Sequence, residues 1–310
     1  MERPALSVVS TMYRSAGHLP DFVARVTQSA DATGGDWELV LVNDGSPDAS
    51  LELAISFQRQ DQRVRVVDLS RNFGHHRAMM TGLRYARGER VLLIDCDLEE
   101  DPALLAPLQE EMRRTGADVV YGVQAQRKGG TLERWTGSLF FALFNALSTT
   151  KLPANVTTLR LMTRRYVASL LEHQEREMVI SGLWALTGYE QVPLVIEKRS
   201  RRGSSYDLGR KLVHLINAVT SFSDRPLVFI FWMGLLIVIV SAIAASYLVI
   251  RRIFFGVLLS GWPSMMVSIW LLGGLTLFSI GVVGIYLSRV FVETKRRPYT
   301  IVRAVYERLP

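Results

Sequence analysis

Five acidic residues occupy seven consecutive positions directly after an apolar run in RVLLIDCDLEEDP, residues 90–102. Side chains alternate along an extended strand, so Asp95 and Asp97 are expected on one face and Cys96 on the other. Ligands of open α/β sheets bind at the carboxyl ends of the strands, and two adjacent carboxylates there need a counter-charge. Mg²⁺ takes one or two carboxylates with substrate phosphates and water, and Glu99 is close enough in sequence to contribute. The stretch therefore predicts a site for a divalent cation and a phosphate group.

Two simpler interpretations of this stretch remain open. The acidic residues at 99–101 would suit the N-terminus of a helix, whose dipole favours negative charge. Asp-x-Asp alone also occurs in solvated turns. The metal interpretation is favoured because both aspartates follow a buried strand, the fourth in the chain.

A second acidic site is predicted in LVLVNDGSPDAS, residues 39–50, where another apolar strand ends at a turn. Asn43, Asp44 and Ser46 would aim polar groups above the sheet, and Asp44 could accept hydrogen bonds from a base N–H or a ribose hydroxyl. A plain Asn-Asp-Gly-Ser turn is the alternative. The chain contains neither G-x-G-x-x-G nor G-x-x-x-x-G-K-[ST], which argues against dinucleotide-binding and P-loop proteins.

The first half of the chain alternates short apolar runs with amphipathic segments. Near-continuous runs of Val, Leu and Ile indicate strands covered on both faces, and hence an α/β fold with a mostly parallel sheet. Strands are predicted at residues 5–11, 37–43, 64–69, 90–95 and 118–123. Helices are predicted at about 17–31, 48–60, 74–87 and 102–115. Asp48 is expected to cap the second helix, and Pro102 suits the first turn of the fourth.

The C-terminal part of the chain contains two long uncharged segments, residues 226–250 and 253–288. About 20 apolar residues suffice for a helix to cross the hydrocarbon core of a bilayer. Two transmembrane helices are therefore predicted, at about 226–250 and 264–288. A pair of buried helices in a large soluble core is the alternative, but uncharged runs of this length exceed ordinary globular helices.

Basic residues flank the predicted spans on both sides, while the connecting loop carries only Arg251 and Arg252. The flanking residues are Lys198, Arg199, Arg201, Arg202, Arg210, Lys211, Arg225, Lys295, Arg296, Arg297, Arg303 and Arg308. By the positive-inside rule, both termini are expected in the cytoplasm of a multi-pass inner-membrane protein. MERPALSVV leads directly into a strand-like run without a signal-type apolar segment, which agrees with a cytoplasmic first domain.

Two apolar segments precede the spans: residues 134–148 are aromatic-rich and apolar on most sides, and residues 208–222 carry apolar side chains at helical spacing. Both are interpreted as helices in the membrane interface, with ordinary core helices as the alternative. The predicted organisation is a cytoplasmic domain at 1–207, an interfacial helix at 208–224, two transmembrane helices within 225–290 and a cytoplasmic tail at 291–310.

The net charge of +7 is explained by the membrane flanks, because no nucleic-acid-binding motif accompanies it. We therefore expect anionic lipid headgroups, and not nucleic acid, to attract these residues. The single cysteine, Cys96, cannot form an internal disulfide. Gly284 and Ser288 have the small-xxx-small spacing that favours contact between transmembrane helices, which predicts a homo-oligomer.

Several motifs in this order resemble glycosyltransferase family 2. They are SVVSTMY, VLVNDGSPD, SRNFGHHRAMMTGL, LLIDCDLEEDP, RLMTRRY and RRGSSY, followed by two terminal membrane spans. The resemblance covers nearly the whole chain and is closest to the polyprenyl-phosphate branch, which includes dolichyl-phosphate mannose synthase and bacterial undecaprenyl-phosphate glucosyltransferases. It implies a GT-A type nucleotide-sugar-binding domain.

The resemblance also implies roles for individual residues. Thr11, Tyr13, Asp44, Asn72 and Arg77 would bind the nucleotide. Asp95 and Asp97 would be catalytic and, with Glu99, would hold Mg²⁺ or Mn²⁺ and the diphosphate. The residues implied to grip the acceptor phosphate are Arg127, Arg134, Arg202, Ser204 and Tyr206.

Two positions depart from the family pattern. Ser15 replaces an acidic residue after the first strand, and Thr158 replaces the aspartate of Asp-Phe-Arg-Leu. A phosphate monoester has a second pKa of about 6, so the acceptor is already largely a dianion at pH 7 and needs little help from a base. The expected reaction is one inverting transfer of a sugar, from a UDP-linked donor by analogy with bacterial members, to undecaprenyl phosphate.

Three alternatives to this reaction are weaker. A processive polysaccharide synthase would carry Gln-x-x-Arg-Trp, whereas TLERW at 131–135 has Thr131 in the Gln position, and two spans are few for a polymer channel. A non-catalytic nucleotide-binding membrane anchor would predict a degraded metal site, yet both aspartates are present. A dehydrogenase-like protein would need the glycine fingerprint.

Overall fold

The computed structural model describes residues 3–124, 156–175, 180–197, 225–255 and 261–307. The chain divides into two compact units, and residues 296–310 belong to the first unit although they follow the second in sequence. The predicted interfacial helices at 134–148 and 208–222 lie outside the described residues.

The first unit alternates strands and helices. Its strands are β1 (Leu6–Met12), β2 (Trp37–Asn43), β3 (Val64–Leu69), β4 (Arg90–Leu93), β5 (Val119–Gln124), β6 (Val156–Thr163), β7 (Gln191–Ile196) and β8 (Val302–Tyr306). Its helices are α1 (Leu19–Asp31), α2 (Ser50–Gln60), α3 (His75–Tyr85), α4 (Leu105–Thr115), α5 (Arg164–Glu172) and α6 (Ile180–Leu186). The five predicted strands and four predicted helices are confirmed. Pro102 begins a short 3₁₀ turn, Pro102–Leu104, directly before α4.

The eight strands form one sheet in the order β7-β5-β6-β4-β1-β2-β3-β8. Strands β1 to β4 pair in parallel, whereas β6 and β8 run antiparallel to their neighbours. The predicted α/β fold with a mostly parallel sheet is therefore confirmed. Strand β8 lies inside the predicted tail, where no strand was expected.

Burial on both faces explains the apolar runs of the central strands. Every residue of β1, β2 and β3 is buried. Helix α3 packs especially closely on one face, because a Cβ on Gly82 would come within 2.5 Å of Val9 Cγ1 and 2.9 Å of Val42 Cγ2. The sheet thus forms a rigid platform for the loops at its carboxyl edge.

The second unit contains two long helices, α7 (Arg225–Phe255) and α8 (Trp262–Thr294). Among the described residues, the segment Ser268–Thr294 is long and apolar enough to cross a membrane. Large apolar side chains on it, such as Trp270 and Leu277, are exposed. The predicted span at 226–250 falls within α7 and the one at 264–288 within α8, and the crossing of the membrane by both stays a prediction.

Candidate active site

The candidate site lies at the carboxyl edge of the sheet, where the loops after β1, β2, β3 and β4 meet. Cys96 ties two of these loops together, because its buried thiol donates to the carbonyl oxygen of Thr11 at 3.0 Å and contacts Ser15 Oγ at 3.2 Å. Burial raises the pKa of Cys96 to about 11. Cys96 is buried, whereas Asp95 and Asp97 on either side are half-buried; β4 ends at Leu93, so all three lie in the loop after the strand and not in the predicted extended strand.

A histidine that the sequence prediction did not include links the first and fourth strands. His75 begins α3, and its Nε2 lies 3.3 Å from Asp95 Oδ1 while its Nδ1 lies 3.0 Å from Thr11 Oγ1. The paired histidines in SRNFGHHRAMMTGL, at the start of the helix after β3, were the available signal. The contacts join a predicted nucleotide-binding residue to a predicted metal ligand.

The environment of His75 is strongly acidic. Partial burial of the ring lowers the pKa of His75, but the hydrogen bond and charge of Asp95, with the charges of Asp44 and Asp97, outweigh burial and raise it. The ring therefore keeps its positive charge to a higher pH than a free histidine does.

Asp44 follows β2 and organises the loop after β3. Its Oδ1 accepts a hydrogen bond from the Phe73 backbone N–H at 2.7 Å, and its Oδ2 accepts one from Gly74 N–H at 3.0 Å. The side chain is buried, and burial raises its pKa although both backbone hydrogen bonds act in the opposite direction. The carboxylate thus faces the loop backbone, and its predicted role toward a base or ribose stays a prediction.

The loops after β2 and β3 touch at Gly45. The residue has φ of +61°, and an added Cβ would lie 2.4 Å from the backbone of Arg71 and Asn72. Only glycine satisfies both the left-handed conformation and this close approach. The two loops therefore form one continuous support.

A hydroxyl and carboxylate network joins the loops after β1 and β2. Asp48 Oδ1 accepts hydrogen bonds from Ser46 Oγ and Ser50 Oγ, both at 2.6 Å, and Oδ2 accepts one from Ala16 N–H. Burial raises the pKa of Asp48, but these hydrogen bonds prevail and lower it to about 2. Asp48 also accepts Ser50 N–H at the start of α2, although the N-cap residue of that helix is Ala49 and not Asp48 as predicted.

Ser15 occupies the position where the family has an acidic residue. It is buried, and its Oγ accepts the Tyr13 backbone N–H at 3.2 Å as well as contacting Cys96. Its own N–H donates to Ser50 Oγ at 2.9 Å. A carboxylate here would be buried beside the thiol of Cys96, so the serine suits its surroundings.

The acidic stretch turns sharply after Asp97. Asp97 Oδ1 accepts the Glu99 backbone N–H at 3.0 Å, and Leu98 adopts a left-handed conformation with φ of 60°. Within the described residues, no group of three or more His, Cys, Asp or Glu side chains is arranged to hold a metal ion. Two half-buried carboxylates nevertheless fit a hard cation that takes its remaining ligands from water and substrate phosphates.

A buried cation lies on the strand next to β4. Arg160 of β6 pairs in register with Leu93, two residues before Asp95, and its guanidinium stacks 3.1 Å from the centre of the Trp184 ring. Burial lowers the pKa of Arg160 to about 9, and Tyr166, Tyr121 and Glu100 oppose this shift. Since Glu100 is itself fully buried, positive charge behind the acidic stretch offsets part of its repulsion.

The other predicted nucleotide-binding residues surround the same edge. Tyr13 and Asn72 are exposed, and Arg77 is half-buried in the first turn of α3. A cavity of about 280 Å³ is lined by residues 73–77 at this helix start. The five predicted acceptor residues, at 127, 134, 202, 204 and 206, lie outside the described residues. Thr158 lies half-buried on β6.

Comparison with known proteins identifies the family. Residues 7–171 match the family model of glycosyl transferase family 2. The chain belongs to glycosyltransferase family 2. The predicted enzyme class, a glycosyltransferase with a GT-A-like fold, is thereby confirmed.

Relatives match over nearly the whole of this family 2 chain. It is 52% identical over 301 residues to a Mycobacterium tuberculosis protein named among the glycosyltransferases, covering 97% of this chain and 88% of the relative. It is 34% identical over 303 residues to the bactoprenol glucosyl transferase of Shigella phage SfX, covering 96% and 99%. A solved structure of glucosyl-3-phosphoglycerate synthase from Mycobacterium tuberculosis, with Mn²⁺ and UDP-glucose, is 21% identical, with a TM-score of 0.48 and coverage of 70% and 79%.

Proposed function

We propose that this glycosyltransferase moves one sugar from a UDP-linked nucleotide diphosphate sugar to undecaprenyl phosphate at the cytoplasmic face of the inner membrane. The observation that carries the proposal is the pair of half-buried carboxylates, Asp95 and Asp97, linked through His75 to the end of β1. Relatives named bactoprenol glucosyl transferase, aligned over 96% of the chain, support the lipid acceptor.

The donor would lie across the carboxyl edge of the sheet. Thr11, Tyr13 and Asn72 would contact the nucleoside, while the diphosphate would lie between the acidic pair and the start of α3. Backbone N–H groups at a helix N-terminus favour phosphate, and the cavity lined by residues 73–77 provides space there. Arg77, which is half-buried in the first turn of α3, adds positive charge to this side.

Asp95 and Asp97 are the residues that would hold a divalent cation, with Glu99 or its water shell as a further contact. Mg²⁺ or Mn²⁺ bound there would neutralise the charge that develops on the departing diphosphate. The hydrogen bond from His75 keeps the Asp95 carboxylate in place, and Glu99 N–H does the same for Asp97.

No general base is required on the acceptor side. The phosphate monoester is largely a dianion at pH 7, so it attacks the anomeric carbon directly and inverts its configuration. Thr158 in place of an aspartate is compatible with this mechanism. Arg127, Arg134 and Arg202 would position the phosphate by bidentate hydrogen bonds, with Ser204 and Tyr206 beside them.

Helices α7 and α8 would anchor the enzyme as two membrane spans with both termini in the cytoplasm. Exposed apolar side chains along Ser268–Thr294 support an anchor, because soluble surfaces rarely present so continuous an apolar face. The basic flanks set the orientation.

The test is transfer of label into lipid. Purified full-length enzyme is incubated with Mg²⁺, undecaprenyl phosphate and a panel of radiolabelled UDP- and GDP-sugars, and the lipid phase is extracted. We expect one donor to label the lipid, with loss of signal in EDTA and recovery with Mg²⁺ or Mn²⁺. Labelled polymer in place of a single-sugar lipid would indicate a processive synthase, and no labelling by any donor would contradict the proposal.

A further inference from the structure

The tail that follows the last long helix completes the sheet beside the candidate donor site. Strand β8 pairs antiparallel with β3, with Tyr306 opposite Val66 and Ala304 opposite Asp68. The register then shifts, because Val302 lies opposite Leu69. Arg303 is therefore the extra residue of a β-bulge. Bulges are common next to active sites, where they redirect a side chain.

The bulge directs Arg303 toward the end of β3. Its Nη2 donates to the Ser70 carbonyl oxygen at 2.6 Å, and its Nη1 lies 3.5 Å from Asp68 Oδ2. The Ser70 N–H donates in turn to the carbonyl oxygen of Ile301 at 2.9 Å. Both backbone groups of Ser70, the first residue of the loop after β3, are thus held by the tail.

A chain of buried hydrogen bonds continues from Asp68 to the loop after β2. Asn43 Nδ2 donates to Asp68 Oδ1 at 2.8 Å, and Asn43 Oδ1 accepts the Ser46 backbone N–H at 3.2 Å. Asp68 and Asn43 are each no more than 2% exposed. The Arg303 side chain is 59% exposed, so the relay is buried only from Asp68 inward, where loss of the cation facing that carboxylate is felt most.

The loop that starts at Ser70 ends at the site itself. It contains Asn72, its Phe73 and Gly74 N–H groups bind Asp44, and it leads into His75, which contacts Asp95. A second tail contact, between Thr300 Oγ1 and Thr81 Oγ1 at 2.8 Å, holds α3 directly behind the loop.

We propose that Arg303 of strand β8 is a positioning residue for the nucleotide donor. It fixes the loop at residues 70–75 through Ser70 and Asp68 and so determines donor affinity without touching the donor. The inference rests on the proposed function, because it assigns that loop to the donor site.

The opposite end of the same strand supplies a matched control. Glu307 Oε2 lies 2.8 Å from Arg65 Nε and 2.8 Å from Arg87 Nη2, at the amino edge of the sheet. Arg303→Ala and Glu307→Gln each remove the ionic contacts of β8 at one end. Both should lower thermal stability, but only Arg303→Ala removes the support of the loop.

The test combines hydrogen–deuterium exchange with donor kinetics on the full-length enzyme. In Arg303→Ala, the amides of Ser70, Phe73 and Gly74 should exchange several-fold faster than in wild type, whereas Glu307→Gln should leave them protected. The donor KM of Arg303→Ala should rise about tenfold with kcat within about twofold, since remote residues modulate binding by up to about that factor. Arg303→Lys, which keeps the charge near Asp68, should recover part of the affinity.

The route through Asp68 is tested by a double-mutant cycle. Asp68→Asn should raise the donor KM. In the double variant, Asp68→Asn with Arg303→Ala, the donor KM should exceed that of the more affected single variant by no more than about twofold, because both changes break the same route. Unchanged loop exchange in Arg303→Ala, or equal changes in Arg303→Ala and Glu307→Gln, would overturn the inference. Failure of the wild type to bind any nucleotide would instead contradict the proposed function, and the exchange comparison would still decide whether the tail holds the loop.

Discussion

Strand β2 carries a buried carboxylate at each end, and the two are held in different ways. At the amino edge, Glu38 Oε2 lies 3.1 Å from Arg65 Nη1, and its Oε1 accepts hydrogen bonds from Ser7 Oγ and Arg87 N–H. At the carboxyl edge, Asp44 accepts the two backbone N–H groups of Phe73 and Gly74.

This difference suggests that the two edges of the sheet have different roles. A charge matched by a buried arginine fixes the sheet but presents little field to a ligand. A carboxylate held by two backbone N–H groups keeps its loop in place by hydrogen bonds to the main chain. The amino edge is therefore expected to govern stability, and the carboxyl edge to govern catalysis.

The largest expected effect is at Asp97. Asp97→Asn should lower kcat by about 10²–10³-fold or more, because a preorganised electrostatic group at a developing charge contributes on that scale. Unfolding temperature should change little. Transfer of label to lipid and a thermal melt measure the two quantities.

Asp101 is the matched control for Asp97 in the same stretch. Its Oδ1 accepts Ala103 N–H at 3.1 Å, and its Oδ2 lies 3.3 Å from Arg25 Nη1. Asp101→Asn should retain most activity. Equal losses in both variants would mean that the stretch acts through its total charge and not through a specific site.

The converse effect is expected at Glu38. Glu38→Gln leaves the buried Arg65 without one of its two carboxylates, and breaking a buried pair costs about 3 kcal/mol. Chemical denaturation in detergent should show this loss, while kcat/KM of the remaining folded enzyme stays near wild type. A large fall in kcat/KM in fully folded Glu38→Gln would contradict the proposal that the amino edge governs stability and the carboxyl edge governs catalysis.

A smaller catalytic effect is expected at His75. His75→Ala removes the contacts to Asp95 and Thr11. Because a contact to a charged group contributes more than a neutral hydrogen bond, we expect kcat/KM to fall about 20-fold. His173, which follows α5 and lies 3.9 Å from Glu175, provides the control as His173→Ala. A similar fall in both variants would remove His75 from the site.

The smallest effect concerns the reactivity of Cys96. Because burial raises its pKa to about 11, the thiolate fraction near pH 7.5 is below about 0.1%. Iodoacetamide should label native enzyme slowly, faster as pH rises toward 11, and rapidly after denaturation, as mass spectrometry would show. Rapid labelling at neutral pH would mean that the loops after β1 and β4 open readily.

Local periodicity allowed much of the fold to be predicted. Buried parallel strands read as continuous Val, Leu and Ile, and the five strands and four helices of the first half were found within a few residues. The expected burial pattern at 95–97 is observed, with Cys96 buried and both aspartates half-buried, but β4 ends at Leu93 and these residues lie in the loop after the strand.

Features that depend on long-range pairing were not predicted. Strand β8 pairs with β3 across more than 230 residues of sequence. Strand β7 contains Pro193, which is tolerated because β7 lies at the edge of the sheet, but a proline within a run argues against a strand when only the sequence is known. His75 acquires its role only when α3 meets the ends of β1 and β4. The two backbone partners of Asp44 lie 29 and 30 residues away in sequence, so these hydrogen bonds leave no local pattern.

The position of β8 at the end of the chain has a consequence for biosynthesis. A nascent chain emerges from its N-terminus, so β3 is made with its edge unpaired, and an unpaired edge invites association with other chains. The partner strand leaves the ribosome only after both hydrophobic helices have done so. Completion of the catalytic sheet is therefore the last folding event, and a truncated chain released earlier would lack the strand that covers its exposed edge.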